Sequence, residues 1–195
     1  MEVTKRQMDI VEAAISIIAN QGYRELTTKN LAQHIGVTEA ALYRHFVSKN
    51  ALISKILDYF EQVSQDVIQK INRSQASPYE RVRMFVMNRF QLFISDRDLA
   101  KVMFSEELFK SNPTHAEHMQ KIMHIHRSEV MGFLIEAQIK GEVDPALDPQ
   151  QIFRIIVGAM RLTITQWNLS NYAFDLMEEG DKLMNTIKHM IEVRK

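Results

Sequence analysis

Between positions 28 and 49 the chain carries side chains suited to gripping a polyanion and reading its edges. Thr28 and Lys29 fall at the start of a short helical pattern, where unpaired N–H groups and the helix dipole favour a phosphate. Tyr43, His45 and Lys49 carry donors for phosphate oxygens, and Lys49 opens a second such helix start. Thr38, Glu39, Ala40, Ala41 and Arg44 lie between these anchors. Arg44 matches the paired acceptors of guanine, and Glu39 matches the amino group of cytosine or repels phosphates in a wrong register. Ala40 and Ala41 are small enough to meet a thymine methyl. The chemistry implied is recognition of double-stranded DNA through the major groove.

Such residues need a helix held outward by a small core. Residues Leu26 to Phe46 have the grammar of two short helices joined at Gly36. Glycine there admits the positive φ of a tight turn, Val37 plugs the corner and Thr38 caps the next helix. Leu31, Ile35, Val37, Leu42 and Phe46 can share a core with Val11, Ile15 and Ile18, leaving one face of the segment Thr38–His45 outside.

Over residues 5–52, about a quarter of the chain, the sequence resembles the DNA-binding domain of TetR-type transcriptional repressors. The matching residues are Thr27-Thr28, Leu31-Ala32, Gly36-Val37-Thr38, Leu42-Tyr43-Arg44-His45-Phe46-Val47-Ser48-Lys49 and Leu52, in register. The resemblance implies a homodimer of nine-helix chains with a C-terminal ligand-binding domain. It makes Thr38–His45 the recognition helix and Tyr43 and Lys49 the phosphate contacts. Ala-Ala-Leu-Tyr-Arg-His-Phe (40–46) also resembles the nucleoid-occlusion branch of that family, which implies an architectural DNA-binding protein acting through a protein partner.

Charge does not announce a nucleic-acid binder. The 195 residues hold 24 Lys and Arg against 24 Asp and Glu. The first fifty carry only one surplus positive charge, so DNA binding must rest on where charge sits. The chain has no cysteine, which excludes disulfides and thiol catalysis. It shows no Gly-x-Ser-x-Gly and no glycine-rich phosphate loop, so no enzyme is expected. The N-terminal residues lack a signal-peptide core, and no run reaches the length of a membrane span. A soluble cytoplasmic protein without membrane contact is expected.

The rest of the chain reads as helix. Thr4/Gln7 and Ser77-Pro78-Tyr79-Glu80 are capping boxes; Asp148-Pro149 and Asn112-Pro113 are further helix starts. Helices are expected at Thr28–Ile35, Thr38–His45, Ser48–Arg73, Pro78–Ile94, Arg97–Lys110, Pro113–Lys140, Pro149–Leu169 and Phe174–Glu192, after a first one ending at Gly22. The fold class is all-α, about nine helices: a three-helix DNA-binding domain at 1–48 and a ligand-binding and dimerisation domain at 49–195.

Within the second domain the helix from Pro78 is apolar nearly all round, as a central helix should be, yet holds Asn88, Arg89 and Gln91. Met84, Met87, Met103, Phe104, Glu107, Met123 and His126 are candidates to line a pocket for a small apolar or amphipathic effector. His115, His118, His124 and His126 cluster in sequence, but their spacing closes no ligand set, so neither metal nor cofactor is expected. Ile155, Ala159 and Leu162, with Leu183, Ile187 and Ile191, are candidates for a dimer interface between the last two helices of each copy; Gly158-Ala159 would allow close approach. Together these features point to a ligand-responsive transcriptional regulator on a pseudo-palindromic operator.

Overall fold

The caps written into the sequence set the helix starts. In the computed structural model, which describes residues 4–105, 108–109 and 112–193, Thr4 and Gln7 form the full capping box of α1 (Lys5–Gln21). Gly22, at φ 97°, ends it, and a 3-10 turn (Tyr23–Glu25) leads to α2 (Thr28–His34) and α3 (Glu39–Tyr43). There follow α4 (Lys49–Asn72), α5 (Pro78–Ser95), α6 (Arg97–Met103), α7 (Pro113–Ile139), α8 (Pro149–Leu169) and α9 (Leu176–Ile191). The fold is all-α, nine helices among the described residues, with no strand among them.

Three helices differ by two residues or more at one end from the extents expected from the sequence. The third closes at Tyr43, because the N–H of His45 bonds back to Leu42 O at 2.9 Å. The sixth stops at Met103, where the N–H of Ser105 turns back to Val102 O and tightens the last turn. The last starts at Leu176, because Asp175 accepts from the N–H groups of Met177 and Glu178 and so takes the capping position.

The chain divides into two packed units: Met1–Val63 with Asp96–Lys121, and Ser64–Ser95 with Ile122–Lys195. In the first, α1 lies along α6. Asn20 joins them, donating to Asp98 Oδ2 and accepting from Lys101 Nζ, each at 3.0 Å. Ile10, Ile17, Ile53, Leu57 and Leu99 fill the core beneath. The start of α7 is pinned to α4 by polar contacts. His118 Nε2 lies 2.9 Å from Glu61 Oε2, and Lys121 Nζ lies 3.2 Å from Glu61 Oε1. Burial pushes the Glu61 carboxyl up, but these bonds outweigh it and hold it below the usual carboxylate range. His115 is 1% exposed, and its Nε2–H donates to the Asn50 carbonyl at 3.2 Å.

In the second unit α5 packs against α8 and α9 around Phe85, Phe90 and Phe93. The Tyr79 hydroxyl donates to Met184 O at 2.7 Å, and Arg83 pairs with Asp181 and with Glu80. Of the three polar residues on α5, Gln91 is exposed and Asn88 half-buried. Arg89 is 2% exposed; it donates to Ser64 Oγ at 2.7 Å and lies 5.0 Å from the Phe85 ring. Burial pulls its pKa down to about 10. The link from α8 to α9 puts two consecutive non-glycine residues in the left-handed region, Asn171 at φ 52° and Tyr172 at φ 64°. It is held by Tyr172 N–H on Trp167 O at 2.8 Å and Trp167 Nε1–H on Phe174 O at 3.1 Å.

Candidate nucleic-acid interface

Each short helix of the head is started by a threonine. Thr27 Oγ1 accepts from Asn30 N–H and Thr38 Oγ1 from Ala41 N–H, at 3.1 and 3.2 Å. Gly36, at φ 68°, makes the turn between them, and Val37 N–H bonds Ala32 O across it at 2.9 Å. Leu26, Leu31, Ala32, Leu42, Phe46 and Leu52 are buried behind this turn.

On α3 only Leu42 is buried. Thr38, Glu39, Ala40, Arg44 and His45 are exposed, Ala41 is half-buried, and Tyr43 is 51% exposed. Lys29 is exposed and Thr28 half-buried at the first turn of α2, where Thr28 Oγ1 lies 3.4 Å from the Tyr43 hydroxyl. A cleft of about 290 Å³ opens here, floored by Leu31, Leu42 and Phe46 and rimmed by Thr28, Tyr43 and Lys49. The residues singled out in the sequence thus share the α2–α3 surface and the start of α4.

Lys49 is placed differently from a lysine reaching straight outward. Its ammonium donates to the Tyr23 carbonyl at 2.7 Å and sits 3.7 Å from the centre of the Tyr23 ring. Tyr23 was not legible as a site residue, because it lies on the turn after α1, well before the lysine in sequence. Asn30 fixes that turn by donating to Gln21 Oε1 and Glu25 O, both at 2.9 Å.

Comparison with known proteins agrees with this architecture. Residues 10–56 match the family described as bacterial regulatory proteins, tetR family, and residues 53–190 match the YsiA-like protein, C-terminal region. The chain belongs to the tetR family of bacterial regulatory proteins. It is 24% identical over 187 residues, 93% of each chain, to the fatty acid metabolism regulator protein of Bacillus subtilis (strain 168). It is 24% identical over 174 residues, 88% of each, to the nucleoid occlusion factor SlmA of Vibrio campbellii. Its fold matches that of the transcriptional regulator FadR from Bacillus subtilis, solved in complex with stearoyl-CoA. The TM-score there is 0.78, at 23% identity over 92% of this chain and 96% of that one.

As a tetR-family member the chain is a DNA-binding transcriptional regulator, and its remaining candidate residues fall in both packed units. Met103 is buried and Phe104 half-buried in the first unit. In the second, Met87 is buried, Met84 and His126 are half-buried, and Met123 is exposed. His126 stacks edge-on to Phe85 with ring centres 5.4 Å apart. Glu107 lies outside the described residues. No group of three or more His, Cys, Asp or Glu among the described residues is placed to hold a metal ion.

On the tetR-family chain's α8, Ile155 is 49% and Leu162 59% exposed, and Ala159 is half-buried between them. Leu169 extends this outward stripe. The candidate residues of the final helix are less exposed. Ile187 and Ile191 fill the protomer's own core, and Leu183 is half-buried. Their i, i+4 spacing marks an apolar face, but spacing alone does not say whether that face meets the protomer or a second copy.

Proposed function

We propose that the protein binds a pseudo-palindromic operator as a homodimer and leaves it when an amphipathic effector binds. Residues 1–48 act as the DNA-binding domain and 49–195 as the effector and dimerisation domain. Thr38, Glu39, Ala40, Ala41 and Arg44 read base edges; Thr28, Lys29, Tyr43, His45 and Lys49 hold phosphates. The observation that carries this reading is α3 itself, a helix that buries one residue and leaves its donors and small side chains outside.

The exposed apolar stripe Ile155, Leu162 and Leu169 supports a second copy as the partner of α8. Stearoyl-CoA in the Bacillus subtilis regulator supports a long-chain acyl-CoA as the class of effector. Such a ligand acts only through the difference between its affinities for the DNA-bound and free forms. Most of α4 lies in the first unit and its end in the second, so it is the element proposed to carry that difference. The protein works in the cytoplasm and carries no catalytic activity. No helix among the described residues is long and apolar enough to cross a membrane.

Selection of bound DNA from a random pool, followed by titration of the selected site with salt and with stearoyl-CoA, tests this. A palindromic consensus, steep loss of affinity with salt and release by the thioester are expected. No enriched sequence would overturn the operator, and affinity unchanged by stearoyl-CoA would overturn the effector. Likeness to the nucleoid occlusion factor favours a second reading, in which a protein partner replaces the effector. Many dispersed chromosomal sites and indifference to acyl-CoA would support it.

A further inference from the structure

The contact between Lys49 and Tyr23 has no place in the reading of the head drawn from its sequence. Two groups of one residue meet the same ammonium: the Tyr23 carbonyl at 2.7 Å and the ring face, 3.7 Å from its centroid. A cation that close to an aromatic face is well inside the range of attraction to the ring quadrupole. The turn that carries both groups is fixed. The left-handed Gly22 sets the direction of the turn, and the amide of Asn30 ties its two ends together. The lysine backbone is fixed as well, at the first turn of α4, where Ser48 Oγ accepts from Ala51 N–H at 3.1 Å.

A lysine has four rotatable stem bonds, and ordering them opposes any contact its ammonium makes. Here the stem is ordered before DNA arrives. The cation is stationed on the rim of the 290 Å³ cleft that Thr28 and Tyr43 also line. We propose that Tyr23 is a positioning residue for DNA binding. It touches no DNA itself; it holds the Lys49 ammonium where a backbone phosphate docks and so removes the ordering cost from the binding step. This rests on the reading of Lys49 as a phosphate contact.

The test uses the full-length protein and the DNA selected above, with affinity measured over a salt series. The variants are Tyr23→Phe, Tyr23→Leu, Lys49→Ala and the double Tyr23→Leu/Lys49→Ala. Lys49→Ala is expected to weaken all sequences alike and to lower the slope of log K against log salt by about 0.9, one phosphate contact. Tyr23→Phe keeps the ring and the carbonyl and should bind as wild type. Tyr23→Leu should weaken binding by about fivefold, the scale of one cation–π contact. In the Lys49→Ala background Tyr23→Leu should cost nothing further, because the group it positions is gone.

The outcomes separate the two claims. Unchanged affinity in Lys49→Ala rejects the phosphate contact, whatever Tyr23 does. A loss in Lys49→Ala with wild-type affinity in Tyr23→Leu, or losses that simply multiply in the double variant, overturns the positioning role alone. A pair that lowers thermal stability together while binding DNA normally overturns both claims and makes the contact only a clip between the turn and α4. Should Tyr23→Leu not fold, the wild-type protein decides. The Lys49 ε-methylene protons should show the ring-current shift of Tyr23 both free and on DNA; loss of that shift on binding shows the lysine leaving the ring and overturns the proposal.

Discussion

Gly180 of α9 lies against the ring of Phe90 of α5 so closely that a β-carbon there would sit 2.5 Å from both Cδ2 and Cε2, and 3.2 Å from the Met87 sulfur. The two helices meet at this point because one of them carries no side chain. Gly180→Ala should therefore destabilise the protein by about 1–3 kcal/mol despite the better helix propensity of alanine. Denaturant unfolding checks this, with a lowered midpoint and an unchanged slope expected.

Base reading and phosphate anchoring should separate by mutation. Arg44→Ala should cost about 1–3 kcal/mol on the preferred site and leave binding to unrelated DNA nearly unchanged. Lys29→Ala should weaken both alike and flatten the salt dependence by about one contact. Anisotropy titrations on matched and scrambled duplexes distinguish the two. The opposite pattern would exchange the roles of these residues.

His115 ties stability to pH. Burial pulls its pKa down from the ordinary 6.5, so the unfolded chain binds this proton more readily than the folded one. Stability is therefore fully present above about pH 7 and falls as the pH drops through the unfolded value near 6.5. The Nε2–H donates to the Asn50 carbonyl, and the buried Nδ1 meets no acceptor among the described residues to receive a second proton. His115→Gln keeps a donor for Asn50 without titrating. Its unfolding midpoint, followed from about pH 8 to 5, should fall less steeply than that of wild type.

Much of this was legible in the sequence, and the reason is locality. A cap involves residues two or three apart, so Thr4/Gln7, Thr27, Thr38 and Asp148 announce their helices without help from the fold. The outward face of α3 follows in the same way from the Gly36 turn and one buried leucine. What the sequence hides depends on partners far along the chain. Nothing local distinguishes Arg89, sunk beside Phe85 and Ser64, from Gln91 two residues on, which is exposed. Nothing marks Gly180 rather than Gly158 as the glycine on which packing depends; a β-carbon at Gly158 would meet open space. The hold of Tyr23 on Lys49 is hidden for the same reason.

The corner between α8 and α9 should be sensitive to side-chain shape. Asn171 is one of two residues there with positive φ, a conformation asparagine accepts and β-branched residues resist. Asn171→Val should lower stability by about 1–2 kcal/mol, whereas Asn171→Gly should be close to neutral. Thermal unfolding of the pair measures the difference.

Leu162→Glu should leave each protomer folded, because this side chain is 59% exposed. It should nevertheless convert the proposed dimer to monomer, since an unpaired carboxylate would be sealed into an apolar contact. Sedimentation velocity reports the assembly state, and circular dichroism confirms the helices. A variant that still sediments as a dimer would place the interface elsewhere.

The stripe of Ile155, Leu162 and Leu169 also bears on dosage. A protein whose two heads act together only after its copies have met responds to its own abundance more steeply than a solitary binder does. While copies are scarce, occupancy of a two-half-site operator climbs with the square of their number. In the proposed dimer, how strongly that stripe adheres to another like it then sets the cellular copy number at which the operator fills.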